Sequence, residues 1–229
     1  MSVADGVHRL DDGVVNWYLL EDDSGLTAVD AGFPPAWEAL EAAAAKLGRP
    51  LSSLRAVILT HAHIDHIGFA ERARDELGAV IYVHGDDAPL LAHPLRMARS
   101  HRGPVRYLHH GPTRKLMAHA LRTGAPRAKL VRSYATFKDG DVLQVPGSPR
   151  VLFCPGHTDG HCAFHLPDRD VLFSGDALVT YDPYTGREGP TIVAAAATAN
   201  PARALRSIDE IAATGARLLL PGHGDPWTG

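Results

Sequence analysis

The chain has 229 residues, a length that suits one large α/β domain. Hydrophobic residues make up 45% of it and the formal net charge is −3, so a sizeable core is possible and neither bulk polyanion binding nor an acidic tail is indicated. Residues 1–13 lack the apolar core of an export signal, no apolar run reaches the length of a membrane span, and the two cysteines, Cys154 and Cys162, read as buried small hydrophobes, which together predict a cytoplasmic protein without a disulfide framework.

In chain order, residues 14–20 and 26–29 read as two strands joined by an acidic turn. Residues 35–47 read as a helix: Trp37, Leu40, Ala44 and Leu47 share one face, and Gly48 can end it. The apolar run 56–59 reads as a buried strand. Directly after it comes Thr60-His61-Ala62-His63-Ile64-Asp65-His66-Ile67-Gly68, with four potential metal ligands within six residues. Three imidazoles and a carboxylate at a strand end are costly to desolvate unless something binds them, and zinc and iron accept both ligand types. Phe69, Ala73 and Leu77 then mark a helix stopped by Gly78, and 79–83 is a short strand.

Residues 88–138 contain eleven Arg or Lys, among them Arg96, Arg99, Arg102, Arg114, Lys115 and Arg122, and no Asp or Glu. A helix is predicted over 113–123, with Leu116, Met117, Ala120 and Leu121 on one side and Arg114, Lys115, His119 and Arg122 opposite. We read a helical basic insertion at about 85–132. It is either an amphipathic cover with a solvated basic face or a lid that steers an anionic substrate.

Short strands are predicted at 133–137, 141–145, 150–154, 162–166 and 171–173. A helix begins at Asn200-Pro201, as cap and first residue, with Leu205, Ile208 and Ala212 as its buried stripe, and 218–220 is a last strand. His157, Asp176 and His223 each follow one of these apolar runs and sit beside a glycine, which lets a loop turn sharply and present a side chain. Four strand ends thus deliver seven ligand-type residues.

The pattern His-x-His-x-Asp-His at 61–66, followed in order by His157, Asp176 and His223, resembles the signature of the metallo-β-lactamase superfamily. The resemblance implies an α/β fold of the αββα four-layer sandwich type, two sheets face to face with helices outside, as a single domain over 1–229. It implies that His61, His63 and His157 hold one metal, that Asp65, His66 and His223 hold a second, and that Asp176 bridges both. Two zinc ions are expected, with iron or manganese compatible. The implied reaction is hydrolysis of a thioester, ester or lactone by a metal-bridging hydroxide, with Asp65 relaying the proton.

Position 63 is His rather than the Glu of flavodiiron proteins, position 66 is His rather than the Cys of some zinc β-lactamases, and the bridging Asp176 is present. The set looks most like glyoxalase II, the lactonases and the phosphodiesterases. Lactonases place a tyrosine after the bridging aspartate, which implies Tyr181, ahead of Tyr184, as a contact to the substrate carbonyl. His161 either orients a ligand or is a satisfied core histidine. The expected partner is a small molecule, an anionic one if the insertion is a lid, with no membrane and no nucleic acid. The rival readings are a phosphodiesterase and a mononuclear iron persulfide dioxygenase. Specificity is expected to rest on 85–132 and on the loop 177–191.

Overall fold

The computed structural model describes residues 1–93 and 104–228. Seven strands form one sheet in chain order: β1 (Ser2–Ala4), β2 (Val7–Asp11), β3 (Asn16–Asp22), β4 (Gly25–Val29), β5 (Leu54–Ile58), β6 (Val80–His84) and β7 (Ala135–Phe137). The first four pair antiparallel and the last four parallel. Parallel neighbours need crossovers, and α1 (Ala36–Lys46) and α2 (Ala70–Leu77) supply the first two. The third crossover is the insertion, with α3 (Ala88–Leu91) and α4 (Gly111–Arg122).

The second sheet has β8 (Arg150–Phe153), β9 (Cys162–Leu166), β10 (Val171–Gly175), β13 (Leu218–Pro221) and β14 (Trp227–Thr228), with β10 and β13 its one parallel pair. A ribbon of β11 (Val179–Tyr181) and β12 (Glu188–Thr191) follows β10, and α5 (Pro201–Ala213) precedes β13.

Alternating strand residues divide the core into layers. Leu19, Ala28, Val57 and Ile81 face Trp37, Leu40 and Ala73 of the first two helices. Tyr18, Leu20, Val29 and Ile58 on the opposite face meet Phe164, Phe173 and Leu220 of the second sheet. Ala163, Leu172 and Leu219 turn away from that interface towards Ile211 of α5. This is the αββα sandwich, and the apolar run 56–59 is continuous because both faces of β5 are covered.

Several expectations need correction. No strand forms over 141–145, where a single bridge joins Val142 to Arg150. The Asp141 carboxylate instead accepts from the Lys138 amide at 2.8 Å, a local bond that competes with a ladder. The stripe of α5 is Ala204, Ser207 and Ile211, while Leu205 is 56% exposed. Close approach decides this: Gly156 lies against the Ala204 backbone, where a Cβ at 156 would overlap it, and Ser207 Oγ donates to Pro155 O at 2.7 Å. The Asn200 cap is as expected, its side chain accepting from Arg203 N at 3.0 Å. The edge strand β1 and its neighbour β2 escape sequence reading because they are short and most of their residues are half-exposed.

The insertion is also turned differently from the simple amphipathic reading. The buried residues of α4 are Thr113 and His119, not its leucines. Thr113 Oγ1 donates to Tyr184 O at 2.7 Å, and the His119 ring meets Asp12 Oδ2 at 2.7 Å. Leu116 and Ala120 are half-buried, and Met117 and Leu121 remain exposed. Arg96, Arg99, His101 and Arg102 lie outside the described residues. Cys154 and Cys162 are free and buried. Among the described residues no helix is long and apolar enough to cross a membrane.

Candidate metal centre

At one edge of the sandwich the chain leaves β5, β8, β10 and β13, and the loops there carry His61, His63, Asp65, His66, His157, Asp176 and His223. All but Asp65 are buried. Three groups have ligand atoms within 4.8 Å of one another: His61, His63 and His157; Asp65, His66 and His223; and His61, His66 and Asp176. Asp176 lies between the other two, with Oδ2 3.4 Å from His157 Nε2 and 3.3 Å from His223 Nε2, and Oδ1 3.6 Å from His66 Nε2.

Hydrogen bonding leaves this cluster unfinished. His61 Nε2, His63 Nε2, His66 Nε2, His157 Nδ1 and Asp176 Oδ1 are buried without a hydrogen-bond partner. A buried unpaired polar atom costs about 1–3 kcal/mol, so His61 Nε2, His66 Nε2 and Asp176 Oδ1, beside His63 Nδ1 and His157 Nε2 that face each other at 2.9 Å, are a heavy cost unless a cation lies among them. The donor set is imidazole nitrogen and carboxylate oxygen, which suits zinc, iron or manganese.

The far nitrogens are held. His61 Nδ1 lies 3.0 Å from Thr60 Oγ1, His66 Nδ1 2.9 Å from Asp30 Oδ2, and His223 Nδ1 2.7 Å from Val14 O. Such partners fix the tautomer and aim the opposite nitrogen inwards. Gly222 permits the approach of its own loop, since a Cβ there would overlap Asp176 Oδ1. Asn16 Nδ2 donates to Pro221 O at 2.9 Å and Tyr18 OH to the same oxygen at 2.7 Å, which pins the His223 loop to the first sheet.

Two aspartates absent from the sequence reading organise the loops. Asp30 ends β4 at φ +63°, and its carboxylate accepts from Thr60 N and Thr60 Oγ1, both at 2.8 Å, besides facing His66. Asp87 accepts from Ala62 N at 3.0 Å, Thr158 Oγ1 at 2.7 Å and Gly160 N at 2.8 Å, and so ties the His61–His66 loop to the His157 loop. The signal for Asp30 is a charged residue directly after a buried strand. Asp87 has no such signal, because its partners lie 25 residues before it and 71 and 73 after it.

His161 supports the cluster through the backbone. Its Nε2 accepts from Asp176 N at 3.0 Å, so Nδ1 carries the proton and faces Cys154 Sγ at 3.3 Å. Burial pushes its imidazole down to about 3, which keeps it neutral for that role.

Charge in the cluster favours a cation. Burial would raise the Asp65 carboxyl, but His66 and His223 hold it well below the carboxylate range. Burial opposes a charged His66, yet Asp30, Asp176 and Asp65 push its imidazole up to about 9. His223 rises likewise, against burial, through Asp176 and Asp65. Burial, together with neighbouring imidazoles, pushes His61 down.

Above the cluster lies a cleft of about 250 Å³, with His63, Asp65, His157, Asp176 and His223 at its floor. Phe33 and Ile64, with Leu116, Met117, Ala120 and Leu121 of α4, form its apolar walls. Among the described residues no Arg or Lys lines it. Arg114 instead donates to Leu108 O and His109 O on the exposed side of the insertion. Tyr184 lines the cleft; Tyr181 does not, but borders a separate hollow with Arg9, Asn16 and Asp225. The tyrosine nearer the cluster is therefore Tyr184. The residues between them include Asp182, whose carboxylate accepts from Tyr184 N and Thr185 Oγ1 and folds the loop back.

The chain is similar to known proteins along most of its length. The family model described as the metallo-beta-lactamase superfamily matches residues 10–223. A probable metallo-hydrolase, YflN, of Bacillus subtilis is 29% identical over 253 residues, covering 100% of this chain and 87% of its own. A hydroxyacylglutathione hydrolase of Cereibacter sphaeroides is 30% identical over 127 residues, 55% of this chain and 34% of that protein. The crystal structure of the metallo-beta-lactamase family protein TTHA1429 from Thermus thermophilus superposes with a TM-score of 0.72 at 28% identity, over 99% of this chain and 76% of that one.

Proposed function

The chain belongs to the metallo-β-lactamase superfamily of metal-binding hydrolases, and on that premise we propose that it is a dinuclear metal-dependent hydrolase cleaving a thioester, ester or lactone. The observation that carries this reading is the convergence of three overlapping groups of imidazole and carboxylate ligand atoms, with His61 Nε2, His66 Nε2 and Asp176 Oδ1 buried and unpaired, beneath a cleft. His61, His63 and His157 would hold one metal, Asp65, His66 and His223 the other, and Asp176 both. Zinc is the expected ion, and iron or manganese suits the same donors. Bound divalent ions supply a water ionised near neutral pH and a Lewis acid for the carbonyl.

The chain's own residues do the rest. Asp65, the one half-exposed member of the cluster, faces the cleft as an ionised carboxylate. It takes the proton of the attacking water and delivers it to the leaving sulfur or oxygen. Phe33, Ile64 and the apolar side of α4 restrict bulk water above it. Similarity to a hydroxyacylglutathione hydrolase supports the thioester class. Free, buried cysteines are compatible with the reducing cytoplasm expected for it.

Metal content per chain, measured on protein purified without chelator or added metal, tests the reading. About two zinc, or two other divalent ions, per chain supports it. About one iron would replace it with the mononuclear persulfide dioxygenase, to be checked by oxygen consumption. Asp30→Ala is expected to weaken metal binding by about 10- to 100-fold in chelator competition, because it frees His66 Nδ1 and removes the acceptor for Thr60. Unchanged affinity would remove Asp30 from the support of the site.

A further inference from the structure

The insertion is basic in sequence, yet the side it turns to the metal centre is apolar. Met117 is 38% and Leu121 68% exposed on a helix otherwise rich in charge, and both line the cleft. Their exposure is not packing: the buried contacts of α4 are made by Thr113 and His119, through Tyr184 O and Asp12. Asp12 also accepts from Val14 N and Val15 N at 3.0 Å, and Leu116 packs against the Val179 and Tyr184 cluster while Ala120 packs against Phe33 and Ala125, so the helix is anchored at points that leave Met117 and Leu121 exposed over the cleft. Ala125 and Pro126 close one end.

An anionic substrate portion lying along α4 would lose hydration beside Leu116, Met117 and Leu121, and among the described residues no Arg or Lys lines the cleft to pair with it. An apolar chain would cover Leu116, Met117 and Leu121 and release water from them. We propose that this cleft is an acyl site: the substrate carries an unbranched apolar acyl chain that lies along α4, with its carbonyl carbon at the metal cluster and its leaving group outside. At about 30 Å³ per water-sized group, a volume of 250 Å³ admits a chain of on the order of eight carbons. The direction of the chain rests on the hydrolase reading; the apolar site itself does not.

Straight-chain carboxylates from acetate to decanoate, titrated calorimetrically into the metal-loaded protein, test the site without turnover. Each added methylene is expected to tighten binding by about 2- to 4-fold up to roughly eight carbons and then add nothing. The double variant Met117→Ser, Leu121→Ser alters two exposed positions and so retains the fold. It is expected to lower the octanoate-to-acetate affinity ratio at least about 10-fold. Equal affinity for acetate and octanoate would overturn the proposal, and so would an unchanged ratio in the double variant. The parallel measurement is kcat/KM for acetyl to decanoyl thioesters of one thiol. Length-dependent carboxylate binding with no cleavage of any thioester, ester or lactone would sink the hydrolase reading and leave the apolar chain site standing. Cleavage without length dependence in either experiment would do the reverse.

Discussion

Asp65→Asn is expected to lower kcat/KM by about 10³-fold, within the range that a positioned acid–base group contributes, while the protein stays folded. The amide keeps the shape of the carboxylate but loses its charge and its ability to take a proton. Asp65 Oδ2 lies 3.5 Å from His223 Nε2 and 3.9 Å from His66 Nε2, so the second ligand group also loses its anion. The first group, His61, His63 and His157, is left with all its members. Metal content should therefore drop from about two towards about one ion per chain, with the unfolding midpoint of the metal-free protein little changed. The two losses are separable: excess metal should restore content before it restores rate. Near-wild-type turnover in this variant would remove Asp65 from the chemistry.

Asp87→Ala should be the most destabilising single change around the site, by about 4 kcal/mol in denaturant unfolding. The carboxylate is fully buried, and all three of its partners donate: the amides of Ala62 and Gly160 and the Thr158 hydroxyl. Truncation strands two backbone N–H groups that have no other way to turn, at about 1–3 kcal/mol each, and opens a polar void. Asp87→Asn should recover about half, since an amide presents one accepting oxygen where the site needs two and Thr158 can reorient. The same contacts hold the His61–His66 loop against the His157 loop, so metal affinity should fall together with stability. A loss below about 1 kcal/mol would mean that water replaces the carboxylate and that Asp87 does not organise the loops.

The sequence alone was most informative where a pattern is local. The run 56–59 with its histidine-rich sequel, the helices α1 and α2 with their glycine stops, and the Asn200 cap all depend on neighbours within a few residues. The orientation of α5 was not legible in this way, because Leu205, Ile208 and Ala212 suggest a stripe that the close approach of Gly156 to Ala204 overrides. The same holds for α4. Leu116 and Ala120 pack against apolar neighbours while Met117 and Leu121 stay exposed over a cleft, and hydrophobic periodicity cannot distinguish the two. The resemblance favours Tyr181 over Tyr184; that Tyr184 reaches the cleft instead follows from how Asp182 folds their loop.

What the sequence determined by itself is the inventory and its order: seven imidazole and carboxylate side chains, each placed at the end of an apolar run. Tertiary structure alone decided which of their atoms meet, which face outwards to Asp30, Thr60 and Val14, and that the wall above them is apolar within a basic segment. The physical reason is separation along the chain. His63 and His157 stand 94 residues apart and 2.9 Å apart in space, and only the packing of the two sheets across their shared core brings those loops to one edge.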